Sequence, residues 1–148
     1  MLITTWKQVS HWKNSITLYK HAIRVTDKKF SNSTVVHNNL GIALFADQKN
    51  EESIFHYKMA IKVDPTHAKS YYNLGIALTA ERKSEEAISY YKMAIGLYPN
   101  FTNAHYNLGI VLLQKGEMKE AIHHFRETVR LRPEFVKARD YLEFALLQ

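Results

Sequence analysis

Cysteine is absent from this chain of 148 residues. That excludes disulfides, thiolate metal sites and a cysteine nucleophile, and leaves the compartment open. Long hydrophobic runs are absent as well. No stretch of about 18 apolar residues occurs, as a membrane-spanning helix needs. The opening run Met1-Leu2-Ile3-Thr4-Thr5-Trp6-Lys7 has no apolar core of signal-peptide length. Glycine and proline are scarce, at five and three residues. Three of the glycines follow a leucine, and Gly96 and Gly116 stand alone, so no glycine-rich phosphate loop exists. Acid is scarce at the start. Residues 1–33 carry Lys7, Lys13, Lys20, Arg24, Lys28 and Lys29 against Asp27, a balance of +5. The rest of the chain carries 14 basic and 13 acidic residues, a balance of +1. A nucleic-acid binder would spread basic charge along its binding face, so no nucleic-acid partner is expected. A chain of this length folds as one ordinary domain and can bury roughly 70% of its unfolded surface.

The few glycines and prolines share one spacing. Asn39-Leu40-Gly41-Ile42, Asn73-Leu74-Gly75-Ile76 and Asn107-Leu108-Gly109-Ile110 follow each other at steps of 34 residues, as do Pro65, Pro99 and Pro133. Between these marks the pattern is helical. Within residues 68–80, Tyr71, Leu74, Ile76, Ala77 and Leu78 recur at helical spacing. A polar break, Glu81-Arg82-Lys83, separates them from a second helix that Ser84 is expected to cap, with Glu85 and Glu86 in the first turn where the helix dipole favours acid. Ile88, Tyr91, Ala94, Ile95 and Tyr98 form its apolar face, and Pro99 ends it. A mid-helix glycine costs roughly 1 kcal/mol against alanine. That cost implies that a neighbouring helix backbone comes close at Gly41, Gly75 and Gly109, with Ser53, Ala87 and Ala121 small for the same reason. Tyr57, Tyr91 and Phe125 are expected to fill the space between successive repeats.

This punctuation resembles the tetratricopeptide repeat over residues 34–133. The resemblance implies an all-α, right-handed solenoid of antiparallel helix pairs. Residues 34–67, 68–101 and 102–135 read as three full repeats. Residues 136–148 read as a capping helix, with Glu143 where the repeats have glycine. Residues 1–33 read as a partial repeat: Ser15–Ile23 matches Ser53–Ile61 at an offset of 38, which places four extra residues within Thr26 to Ser33. This lone second-type helix, read from Trp12 to Val25, has an apolar side of Trp12, Ile16, Tyr19 and Ile23 that a second copy could cover as a homodimer.

The family resemblance implies a non-catalytic interaction module that holds a peptide or partner segment on a concave face lined by the first helices. Asn39, Asn73 and Asn107 would form a ladder there, similar to the one that grips peptide backbone in the repeats of O-GlcNAc transferase; each amide offers a donor and an acceptor. Around it lie Val35, Asn38, Ile42 and Phe45; Lys69, Tyr72, Ile76 and Thr79; Asn103, Tyr106, Ile110 and Leu113; and Lys137, Asp140 and Phe144. The peptide-binding set is therefore Asn38, Asn39, Ile42, Lys69, Tyr72, Asn73, Ile76, Asn103, Tyr106, Asn107 and Ile110. A chaperone-type carboxylate clamp is argued against. Of its members only Asn73 is present, and Asn38, Ile42, Asn103 and Asn107 hold the matching places.

Other chemistry finds little support. No His-x3-His or HExxH pair occurs, and the adjacent His123 and His124 point about 100° apart on a helix, so no metal and no cofactor is expected. Glu51-Glu52 and Glu85-Glu86 recur at the repeat step as helix-start acids, so no catalytic carboxylate pair stands out and no enzyme activity is expected. Asn32-Ser33-Thr34 and Asn100-Phe101-Thr102 match the glycosylation triplet.

The beginning of the chain carries a second resemblance. Thr4-Thr5-Trp6-Lys7-Gln8-Val9, Trp12-Lys13-Asn14-Ser15 and His37-Asn38-Asn39-Leu40-Gly41 are similar to the junction in large bacterial membrane proteins. In these, a glycosyltransferase-like multi-spanning half precedes tetratricopeptide repeats. It implies, as an alternative, that the chain is the soluble extramembrane tail of such a protein, attached through upstream sequence and presenting acceptor proteins. A homo-oligomeric scaffold is the third reading.

Overall fold

The computed structural model describes residues 15–25 and 33–147. The helix start at Trp12, the run Thr4 to Asn14 and the four-residue excess read before Ser33 lie outside the described residues. Eight helices occur among the described residues: α1 (Ser15–Val25), α2 (Thr34–Ala46), α3 (Asn50–Val63), α4 (Ala68–Ala80), α5 (Ser84–Leu97), α6 (Thr102–Gln114), α7 (Met118–Leu131) and α8 (Val136–Leu146). They form two compact units, one up to Ser70 and one from Tyr71, the boundary falling within α4.

The prolines act as the sequence predicts. α3, α5 and α7 stop at Val63, Leu97 and Leu131, and the next residues, Asp64, Tyr98 and Arg132, leave helical backbone with ψ of 96°, 88° and 87°. A following proline excludes helical backbone there. The starts of these helices differ from expectation. Ser84 is the first helical residue of α5, not its cap; Lys83 holds the cap position and no side chain bonds the helix end. Lys49 and Glu117 hold the same place in α3 and α7. The preceding turn explains this. Gln48, Arg82 and Gly116 have φ of 60°, 58° and 79°. Their N–H groups donate to Phe45, Thr79 and Leu113, each at 3.0 Å, and the next N–H groups, of Lys49, Lys83 and Glu117, donate to Leu44, Leu78 and Leu112, each at 2.9 Å. This paired closure of the first helix needs a left-handed residue. It hands the chain to the second helix with no room for a serine cap.

In the first unit, Ile16 of α1 joins Leu40 and Leu44 of α2, with Tyr19, Ile23 and Ala43 packed around them. Ile16 is only 8% exposed, so the face read as open to a second copy has its central residue inside this cluster. Tyr57 and Ala60 of α3 are buried against α2. In the second unit the core holds Leu74, Leu78, Tyr91, Leu108, Leu112 and Phe125.

The glycines have a different neighbour from the one expected. A Cβ on Gly41 would lie 2.5 Å from the Tyr57 ring, one on Gly75 2.6 Å from Tyr91, and one on Gly109 2.8 Å from Phe125. The close contact is an aromatic ring from the second helix of the same pair, not a helix backbone. The rings are nearly inaccessible, at 2%, 1% and 0% exposure. Phe125 also stacks on Tyr141 of α8 at 5.5 Å and 12°, so one ring both seats on its own glycine and meets the following helix.

Two stability outcomes follow. Gly75→Ala should cost about 1–3 kcal/mol in urea unfolding, because the ring cannot withdraw from a packed core. Most of that loss should vanish when Tyr91→Leu is added, and additive losses would disprove the seat. At the turns, Gly116→Arg should cost about 1 kcal/mol, whereas Arg82→Gly should leave stability level or raise it by up to ~1 kcal/mol, since relief of the left-handed strain offsets the added chain entropy.

Candidate peptide-binding face

The first helices supply the candidate residues: their glycine side faces the second helices, and Tyr72 and Tyr106 stand beside that contact, their rings 6.1 Å from Tyr91 and 6.3 Å from Phe125. In the first unit Asn39 is half-buried, while Ile42 and Lys69 are exposed. Asn38 is buried at 6% exposure and its Oδ1 accepts from Ser70 Oγ at 3.3 Å. Its amide is thus committed to the fold rather than presented on a surface.

The second unit gathers the rest. Tyr72, Asn73, Ile76, Tyr106, Asn107 and Ile110 are half-buried and Asn103 is exposed. The Tyr72 ring lies 4.7 Å from Phe101, and Tyr106 repeats the arrangement 4.6 Å from Phe135. Asn107 Nδ2 donates to the Tyr72 hydroxyl at 3.3 Å, tying α6 to α4. That bond uses the amide nitrogen, and Asn107 also bonds the Tyr91 hydroxyl. Burial pushes the Tyr72 hydroxyl's pKa up, the Asn107 bond opposing it. Tyr91, beneath, is pushed up to about 12 by burial, against its bond with Thr79. These phenols stay neutral donors at physiological pH. Thr79 turns inward, its hydroxyl bonding Gly75 O at 2.8 Å and lying 3.2 Å from Tyr91 Oη.

Next to Tyr106 a cleft of about 500 Å³ opens between α6 and α8, lined by Tyr106, Lys137, Asp140, Tyr141 and Phe144. Phe144 is 52% exposed at its mouth. Burial raises the Tyr106 pKa, with Tyr141 adding to it. Tyr141 stands 34 residues after Asn107, so the place of the ladder asparagine is taken by an aromatic ring in the last helix. The repeat step carried that signal, but the candidate set omitted Tyr141. An aromatic floor with one cation and one anion at its rim suits an apolar side chain carried on a polar backbone.

Among the described residues no group of three or more His, Asp or Glu side chains is placed to hold a metal ion. No helix among them is long and apolar enough to cross a membrane.

Comparison with known proteins agrees with this architecture. A tetratricopeptide repeat model matches residues 68–101 and 102–135, and a second TPR repeat model matches residues 41–81. No curated protein matches significantly in sequence. Among solved structures, MamA is similar with a TM-score of 0.81 and 27% identity, over 88% of this chain and 74% of that one. Cut9 in its hetero-tetramer with Hcn1, from the APC/C, has a TM-score of 0.73 and 26% identity over 79% of this chain and 24% of its own. The first TPR domain of Spaghetti (RPAP3), solved with the HSP90 peptide SRMEEVD, shares the fold at a TM-score of 0.76 and 22% identity, over 78% of this chain and 91% of that one. With helix pairs, glycine seats and family models coinciding along residues 41–135, this chain belongs to the tetratricopeptide repeat family, whose members are generally non-catalytic protein-interaction modules.

Proposed function

We propose that this protein binds an extended peptide or partner segment on the face that α4, α6 and α8 make in the second unit, with repeats at residues 34–67, 68–101 and 102–135. The observation that carries the reading is the aromatic cleft beside Asn107: Tyr106, Tyr141 and Phe144 supply apolar area while Lys137 and Asp140 stay at the rim. The cleft seats an apolar side chain of the ligand. Asn107 and Asn73 hold its backbone, with Tyr72, Ile76, Asn103 and Ile110 continuing the face. Asn39, Ile42 and Lys69 offer the same residue types on the first unit. Asn38, buried against Ser70, plays a packing part instead.

The class of ligand is apolar or mixed rather than acidic. Asn103 and Asn107 stand where a clamp for a terminal carboxylate would need cations, and charge-assisted bonds to such a carboxylate are unavailable there.

A peptide selected from a random display library against the whole chain provides the probe. Phe144→Ala should weaken its binding by about 2 kcal/mol or more, as truncation of an aromatic anchor does, with helicity retained because the ring is exposed. Asn107→Ala should cost about 1–3 kcal/mol. Affinities unchanged in both would refute the site. The acidic peptide SRMEEVD should bind at least tenfold more weakly than the selected one, a ratio read by calorimetry.

A further inference from the structure

Histidine is arranged in this fold in a way its sequence positions do not reveal. His37 Nδ1 of α2 lies 3.0 Å from His56 Nδ1 of α3, and His105 Nδ1 of α6 lies 3.0 Å from His124 Nδ1 of α7. Both pairs span the two helices of one repeat with the same separation of 19 residues. His37 and His105 are 4% exposed and His124 is 9% exposed. In the repeat between them the same positions hold Tyr71 and Tyr90, whose rings lie 6.3 Å apart.

The third pair fixes its own protons. His105 Nε2 lies 2.9 Å from the Pro99 carbonyl, which can only accept, so Nε2 carries a hydrogen. In the neutral ring Nδ1 is then a bare acceptor, and His124 Nδ1–H must donate to it. A proton added to His105 Nδ1 would set two N–H groups against each other. A proton added to His124 Nε2 would keep the bond but place a cation in a nearly inaccessible site. The charged neighbours do little to accept it. His105, His123 and Lys92 oppose a positive His124, and only the exposed Glu120, already paired with Lys92 at 3.0 Å, favours it. Glu127, which faces His105 and His123, is paired with Arg130 at 2.9 Å. Around His56, His37 and Lys20 oppose a charge, and Glu52 is paired with Lys20 at 2.9 Å.

We propose that the two imidazole pairs are acid-sensitive latches, each holding the first helix of its repeat onto the second only while both rings are neutral, so that the first and third helix pairs loosen on mild acidification while the tyrosine-paired repeat between them does not. Burial, helped by the neighbouring cations, brings His56 and His124 from the ordinary 6.5 down to about 4. The unfolded chain therefore binds protons below pH 6.5 that the folded chain refuses until about pH 4. The stabilisation is complete above the upper value and drains away as pH falls between the two. Since Tyr106 follows His105 on α6, an open latch also removes the floor of the cleft; this consequence rests on the peptide-binding reading, and the test below does not.

The test is denaturant unfolding of the whole chain at pH 7 and pH 5, with amide exchange followed helix by helix. The wild-type folded-to-unfolded ratio should fall roughly tenfold or more per pair between these values. Exchange should quicken in α2, α3, α6 and α7 ahead of α5. Grafting the tyrosine arrangement, as His105→Tyr with His124→Tyr, should remove the loss in the third pair and leave that of the first. The proposal is overturned if the grafted chain keeps the full wild-type pH dependence. Should the graft not fold, the imidazole nitrogen shifts of the wild-type chain decide the matter: titration of His124 near pH 6.5 overturns it, and a neutral His124 ring at pH 5.5 whose Nδ1–H is shared with His105 supports it.

Discussion

Each helix pair is held in register by an aromatic ring lying where a side chain would otherwise be. Tyr57, Tyr91 and Phe125 occupy the space above Gly41, Gly75 and Gly109, and no atom larger than hydrogen fits beneath them. The seat sets how closely the two helices approach and how each is rotated. Leu40, Leu74 and Leu108 are thereby driven to 0% exposure, while the asparagine beside each stays half-buried. A glycine disfavours helix by roughly 1 kcal/mol, and a buried aromatic more than offsets it through the apolar area it removes from water.

The turn that follows each first helix makes the seat reachable. A left-handed residue reverses the chain so that the second helix begins four residues after the first has ended. Glycine fills that position once; glutamine and arginine fill it twice, at a strain that the paired backbone bonds to Leu44 and Leu78 hold in place. The buried polar groups behind the seat are bonded: Ser53 and Thr128 to carbonyls of their own helices, and the imidazoles to each other across the pair. Two repeats place imidazoles there and one places tyrosines, and no buried side-chain nitrogen or oxygen among the described residues lacks a partner. Neutral imidazoles serve as a donor–acceptor couple at neutral pH, a condition that tyrosines do not share.

The outward face inherits its chemistry from the same rotation. Tyr72 and Tyr106 lean on Phe101 and Phe135, and Asn107 bridges α6 to α4. In α8 the repeat chemistry changes: Tyr141 replaces the asparagine and Glu143 the glycine. With no ring to accept, α8 receives Phe125 against Tyr141 instead, and the cleft forms where that helix leans on Tyr106.

The sequence by itself determined the all-α class, the 34-residue phase and the ends of the helices, because glycine, proline and apolar spacing act on backbone within a few residues. It placed α4 at Ala68–Ala80 and the second-helix stops before each proline, as the structure has them. Much of the candidate face was legible for the same reason, since helical spacing assigns residues to a side. Tertiary structure alone decided what meets across helices. The glycine's neighbour proved to be a ring 16 residues away, Asn38 was drawn inside against Ser70, and the histidines paired at a separation of 19. Contacts at such distances depend on helix rotation and approach, which the packing of the whole pair fixes and no local pattern encodes.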